Sequence, residues 1–594
     1  MGRNTIPSGT GEAAVEIGRR AFVAGGVTGA LAPTAVSAAR TAGTITSALA
    51  PFIDGYMAAR NSPGMIIGMA DRRGWSDTAA YGFADLETRR PIRPDERFHI
   101  GSISKSFTAL MILQLLEEGR VGLDADVTRY LPGLPLETPY GPVTVHHLLC
   151  HASGFQSEAP AIGWADQSVE QTFTPGSRFH YCNMGYEWLG RIIVARGGED
   201  WSRALHRRVL EPLGMTQTSA VIGPGMRRLE VPSYARREDD RPFPRRGALT
   251  RAAPLIFTAA SGCIASTAAD MNRYIAMLVR RGEGPKGRLL SPDGFALMTR
   301  RHIAAAEFGP KGGYAYGWMT DEVDGRAVIR HTGGMQSFMS SIHVDLDLDD
   351  GVGAFASINA QQNYRPVPVT AQALRLCRER ATGAPLLRPA AFDPDKDLDL
   401  SDYAGDYARE DGGVARVVVA GRGLGMTVAG ETLSLESIGD DKFVCFHPRY
   451  RLFTFLFRRE KPLADAVAGQ PNPVRALGWG RDGYVRRGGT APAFPVADRV
   501  RLSPAQLRDY EGVYIAAGGW LTSVRVVARE GRLWVDSFDG VIPLAHIGNG
   551  RFRFADETAS PEVAAFATAP GLPPTLSIAG GALVRVGDPF AELA

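Results

Sequence analysis

The sequence predicts an α+β domain of about 340 residues followed by two small antiparallel β domains, and three observations carry that reading. From Ser47 to Thr382 helical and strand patterns alternate. Past a Pro- and Asp-rich stretch, 383–400, the texture changes to short strands with Gly and Asp turns. An internal repeat then appears: Asp402-Tyr403-Ala404-Gly405-Asp406-Tyr407 recurs as Asp509-Tyr510-Glu511-Gly512-Val513-Tyr514. Gly423-Leu424 aligns with Arg532-Leu533, and Ile438-Gly439 and Phe443 recur as Ile547-Gly548 and Phe552. The offset stays between 107 and 109 residues, which two copies of one domain explain and chance rarely does.

In chain order, residues 1–46 form a leader. Arg19-Arg20-Ala21-Phe22-Val23 opens a stretch to Ala39 without further charge, and Val36-Ser37-Ala38 is a small-residue cleavage candidate. A paired arginine before a modest apolar run resembles a twin-arginine export signal, so the expected location is periplasmic or secreted, with a cytoplasmic protein as the alternative. No later run of 18 or more apolar residues suggests a membrane-spanning helix.

Within 47–382, Met65–Ala70 reads as a buried strand and Tyr81–Asp85 as its hairpin return or the turn that follows. Ser102–Glu118 reads as a helix, with Phe107, Leu110, Met111, Gln114, Leu115 and Glu118 at helical spacing and Gly119 as its stop. Ser337–Leu346 and Val352–Asn359 read as strands joined at Asp349-Asp350-Gly351. Residues 383–400 are a linker, 401–490 and 500–594 the two barrel-like domains, joined through Pro492 and Pro495.

The net charge of +3 spreads arginines and acids along the chain and gives no reason to expect nucleic acid. The dense stretch Arg227–Arg246 also carries four acids and reads as a solvated loop. Five cysteines, 150, 182, 263, 377 and 445, form neither a disulfide framework nor a metal-ligand spacing. His147 and His151 stand four apart but lack the glutamate that zinc hydrolases place after the first histidine, so they read as packing or capping groups. No metal or cofactor is expected.

The chemistry lies in three short motifs. Ser102-Ile103-Ser104-Lys105 puts a hydroxyl and an amine one helical turn apart, roughly 5–6 Å between Cβ atoms. The chain holds six lysines against 60 arginines, and Lys105 is the lysine with a serine three positions before it. Arginine stays protonated, whereas a desolvated lysine can lose its proton and act as a base. Tyr181-Cys182-Asn183 supplies a phenol whose pKa a nearby ammonium would lower, and Asn183 is expected to bond both Lys105 and a substrate carbonyl. His331-Thr332-Gly333-Gly334 follows the strand candidate Arg326–Arg330. Its glycines are expected to admit a substrate's backbone, and the N–H groups of Ser102 and Gly334 to form an oxyanion hole. Lys311-Gly312-Gly313 is a rival third motif, discounted because no strand run precedes it.

Residues 47–382 resemble the serine β-lactamase and penicillin-recognising superfamily, in particular its class C and D-aminopeptidase branch. The resemblance rests on Gly101–Lys105, on Val145–Gly154 (VHHLLCHASG) and on Gly262–Asp270 (GCIASTAAD). It implies a β-lactamase/transpeptidase-like domain, an antiparallel sheet flanked by helices, with two lipocalin-like barrels behind it. It further implies Ser102 as acylated nucleophile, Lys105 and Tyr181 as the base system, Asn183 as an orienting group, and His331, Thr332 and Gly333 as the third wall. The family's β-lactamases and D,D-carboxypeptidases usually carry lysine where His331 stands. A neutral histidine anchors a carboxylate more weakly, which argues against penicillins and C-terminal D-Ala-D-Ala peptides as main substrates. The D-aminopeptidase branch matches both the histidine and the barrels, so the expected activity is release of N-terminal D-residues from a small peptide or amide. An esterase or β-lactamase-like hydrolase is the alternative, and a non-catalytic ligand-binding protein the alternative of another class. A homodimer is allowed.

Overall fold

The computed structural model describes residues 45–593 apart from 159–168, 224–228, 254–257, 347–348, 350, 362–363, 397, 461–471, 517–520, 539, 557–559 and 569. The expected twin-arginine signal, with the rest of residues 1–44, lies outside the described residues.

The first domain is built on a nine-stranded antiparallel sheet. Its strands are β1 (Gly64–Asp71), β2 (Ser76–Asp85), β3 (Arg90–Pro91), β4 (Ile303–Ala304), β5 (Gly313–Tyr314), β6 (Met319–Val323), β7 (Arg326–Met335), β8 (Phe338–Asp345) and β9 (Val352–Ile358). They lie in the order β4-β5-β6-β7-β8-β9-β1-β2-β3. Strand β1 is buried along its whole length, as its unbroken apolar run requires. Its alternate residues serve two cores: Met65, Ile67 and Met69 pack with helices α1 (Ile45–Ala59) and α5 (Val367–Thr382), while Ile66 and Ala70 join the larger core on the other face. That second core contains α2 (Ser104–Glu117), α3 (Asn183–Gly197) and α4 (Ala268–Val279).

Two elements differ from their sequence reading. A 3₁₀ turn, Gly101–Ile103, precedes α2, so Ser102 sits just ahead of the α-helix. Helix α2 is also buried on every side from Ser104 to Leu113, and its apolar spacing marks a central helix instead of a surface stripe. The third motif lies within β7, not after it: the strand continues from Arg326 through Gly334 to Met335.

The repeat corresponds to two closed eight-stranded barrels, from Gly405–Ala408 to Asp482–Arg486 and from Gly512–Ile515 to Gly581–Gly587. Their interiors match in detail. The Tyr407 hydroxyl donates to the Tyr403 carbonyl at 2.8 Å, and Tyr514 to Tyr510 at 2.8 Å. Tyr403, Phe443 and Phe457 form an edge-on aromatic cluster, which Tyr510, Phe552 and Phe566 repeat. Apolar side chains fill both barrels.

The described part of the Arg227–Arg246 stretch is not a solvated loop. Arg236, Asp239 and Asp240 are buried. Thr522 donates through its hydroxyl and N–H to the Asp239 carboxylate, Arg525 pairs with Asp240 at 2.6 Å, and Arg236 stacks on Phe538, all in the second barrel. Arg245 forms a two-pronged pair with Asp395 of the linker, and its N–H donates to Glu436 of the first barrel. The charges are buried because they are paired across domains. The segment is a clasp.

Candidate active site

Ser102 and Lys105 face each other as helical spacing dictates. Lys105 Nζ lies 3.0 Å from Ser102 Oγ and donates to the Ser261 carbonyl at 2.9 Å. The lysine is fully buried. Burial, the largest influence, brings its pKa down to about 7, against the opposing pull of Glu158, Glu187 and Cys182. A large fraction of these amines is therefore unprotonated near neutral pH and able to accept the Ser102 proton.

Tyr181 stands next to Cys182, the N-cap of α3. Its ring centroid is 4.9 Å from Lys105 Nζ, and its hydroxyl is hydrogen-bonded to Ser102. The expectation of a lowered phenol pKa is corrected. Burial raises it well beyond the ordinary value, and the Ser102 bond offsets only part of that. Tyr181 can pass a proton along as a neutral phenol, while Lys105 is the group able to hold one near pH 7.

Asn183 also departs from expectation. Its amide donates to the Glu158 carboxylate and to Ser157 Oγ, not to Lys105. Burial pushes Glu158 up to about 7, with Asn183 and Lys105 acting the other way. A second carboxylate stands beside it. Glu562, just before the Val563–Ala567 strand of the second barrel, accepts from the Ser157 N–H at 2.6 Å and pairs with His180 Nε2 at 2.9 Å. No sequence motif pointed to Glu158 or Glu562.

Strand β7 supplies the third wall. Strand β6 pairs with it only as far as Met319↔Arg330, whereas β8 pairs through to Met335↔Phe338. Antiparallel backbone groups alternate sides. With two-residue turns at 324–325 and 336–337, residues 331, 333 and 335 turn to β8, and the N–H groups of Thr332 and Gly334 face the edge beyond β6. The Gly334 nitrogen is packed against Gly101: a Cβ placed there would lie 2.6 Å from it. The Gly334 nitrogen thus lies against the residue that precedes Ser102.

The glycine at 333 has a different role from the one expected. A Cβ on it would lie 1.9 Å from the Ile100 carbonyl oxygen and 2.3 Å from Ser340 Oγ. Its missing side chain admits the turn that carries Ser102, and Ser340 then donates to Ile100 at 2.8 Å. Substrate approach is not what requires Gly333. His331 is likewise corrected as a substrate anchor. Its ring is buried 6.3 Å from that of Tyr181, with Nε2 2.9 Å from the Tyr314 hydroxyl and Nδ1 2.6 Å from the Thr332 carbonyl. Burial and Lys105 hold its pKa down at about 3, so the imidazole is neutral at any ordinary pH. Thr332 is half-buried and lines a recess of about 420 Å³ with Arg330 and Arg365.

The two histidines read as packing and capping groups act so. His147 Nδ1 accepts from Thr144 N–H in a capping box. His151 Nδ1 accepts from Cys182 N–H at 3.0 Å, and its ring lies 4.2 Å from that of Tyr181 at a tilt of 34°. Lys311 is exposed and pairs with Glu322. All five cysteines are free and buried.

A beta-lactamase family model matches residues 49–376, more than half of the chain. The chain belongs to the beta-lactamase family. This beta-lactamase family member therefore has a beta-lactamase-like first domain, and two closed barrels follow it in the chain. It is 28% identical over 354 residues to penicillin-binding protein 4 of Amycolatopsis lactamdurans, a match covering 56% of this chain and 90% of that one. It is 32% identical over 163 residues to esterase EstB of Burkholderia gladioli, covering 23% of this chain and 41% of the esterase. Among solved structures, the octameric penicillin-binding protein homologue from Pyrococcus abyssi superposes with a TM-score of 0.51 at 24% identity, over 75% of this chain and 98% of that one. Among the described residues no helix is long and apolar enough to cross a membrane.

Proposed function

We propose that this chain is a serine hydrolase that releases N-terminal D-residues from small peptides or amides. Ser102 Oγ attacks the carbonyl carbon while Lys105 Nζ takes the hydroxyl proton. The oxyanion is held by the N–H groups of Ser102 and Gly334. Tyr181 delivers a proton to the departing amine as the C–N bond breaks and takes one from the Lys105 ammonium, leaving an ester on Ser102, a neutral phenol and a neutral Lys105 amine. Water adds to that ester with Lys105 as base, releasing the acid and restoring the hydroxyl.

One observation carries the aminopeptidase reading: the carboxylates of Glu158 and Glu562 flank the second motif beside Lys105. They suit a substrate's α-ammonium and disfavour a carboxylate in that place. The preference for the D-configuration rests on the resemblance to the D-aminopeptidase branch. The packed barrel interiors speak against a carrier that binds ligand inside a barrel. The esterase reading draws on the partial match to EstB.

The test compares D-Ala-p-nitroanilide with its L-isomer, its N-acetyl derivative and p-nitrophenyl acetate. Turnover of the D-isomer with a free amine, lost on acetylation, is the expected result. Ester hydrolysis without D-amide turnover would replace this reading with the esterase one. Hydrolysis unchanged in Ser102→Ala would remove the nucleophile.

A further inference from the structure

Glu187 belongs to none of the three motifs, yet it is built into their junction. It lies on α3, one turn beyond Asn183. Its two carboxylate oxygens accept the backbone N–H groups of Ser261, at 3.0 Å, and Ala260, at 3.2 Å. Helix α2 grips the same two residues from the other side. Thr108 Oγ1 donates to the Ala260 carbonyl at 2.7 Å, and Lys105 Nζ to the Ser261 carbonyl at 2.9 Å. Gly190, the next turn of α3, makes the approach possible, since a Cβ there would lie 2.4 Å from that of Ala260. Ala260–Ser261 is thus a bridge with a carboxylate on one side and the candidate base on the other.

We propose that Glu187 is the positioning residue for Lys105: it fixes the Ser261 carbonyl that holds Nζ, and its negative charge acts on that amine through the bridge. The inference rests on the reading of Lys105 as the base for Ser102. Other groups also face the amine. Tyr181, Cys182 and Tyr186 do so from α3 and its start, Glu158 from the loop before it, His151 from the segment after the 145–149 helix, and His331 from β7. Cys182, Tyr181, Tyr186, His151 and His331 are held in their neutral forms by burial. The charges that favour a protonated Lys105 are then Glu158 and Glu187.

Glu187→Gln separates the two parts of this role. Glutamine offers one acceptor oxygen and one N–H₂ group to two N–H donors, so one bridge bond is lost and the charge is removed. The experiment measures, from pH 5 to 10, the rate at which a fluorophosphonate labels Ser102 and the rate of p-nitrophenyl acetate hydrolysis. Both report activation of Ser102 whether or not a D-amide is turned over. The expected result is a plateau lowered about tenfold and an acidic limb moved down by about half a pH unit or more. Glu187→Asp, which keeps the charge, should leave the limb near its wild-type position and recover part of the rate. An acidic limb at the wild-type pH in Glu187→Gln, with or without a lower plateau, would overturn the proposal. Should Glu187→Gln fail to fold, Glu187→Asp decides: a limb displaced as far as half a unit would overturn it. Absence of D-amide turnover with a shifted limb would remove the aminopeptidase reading alone.

Discussion

Glu562 accepts a hydrogen bond from the backbone N–H of Ser157 across 405 residues of sequence. The second barrel thereby places a carboxylate against the Ser157 loop and His180 of the first domain. Removing that charge should be felt by substrates with a free amine and ignored by others. Glu562→Gln is expected to raise KM for D-Ala-p-nitroanilide about tenfold, equivalent to about 1.4 kcal/mol, with p-nitrophenyl acetate hydrolysis nearly unchanged. Parallel losses on both substrates would show that the residue only holds the loop.

Lys105→Arg keeps a cation but not a base, because a guanidinium does not give up its proton in this range. Acylation should fall by about 10³-fold or more. Fluorophosphonate labelling followed by intact-protein mass measurement reads this directly. Retained labelling would contradict a lysine base.

Activity should rise with pH through about 7, where the Lys105 amine becomes neutral. The same burial makes the folded chain bind fewer protons than the unfolded chain between about pH 7 and the ordinary lysine value. Stability should therefore increase with pH across that window, and the cost of burying the ammonium is fully present below it. Lys105→Met is expected to be inactive yet to melt at a higher temperature than wild type at pH 6, with the gap closing toward pH 10. Melting curves at both pH values check the sign.

Gly333→Ala would drive a methyl into the Ile100 carbonyl. Overpacking at such a contact costs about 1–3 kcal/mol, and the displaced turn carries Ser102. A lower melting temperature together with a strongly reduced kcat is expected. Unchanged kcat would mean that the Ser102 turn tolerates the shift.

What the sequence could show depended on how local the cause was. Ser102 and Lys105 meet because helical spacing brings them together, and the barrels were legible because their aromatic clusters use the same residues at nearly constant offset. The Tyr181 phenol was misjudged since burial outweighs a neighbouring charge, and burial is a tertiary property. Arg236, Asp239 and Asp240 look like any solvated charge run until the partners in the second barrel are known. Glu158, Glu187 and Glu562 carried no motif at all. Their positions follow from how distant segments dock.

Because Glu562 rides on a module hundreds of residues from Ser102, the proposed function would put bond-breaking and admission in separate stretches of the gene. Drift in that module would retune which molecules enter while the Ser102 and Lys105 pair stays as it is. New specificities would then arise there first, at no risk to the reaction itself.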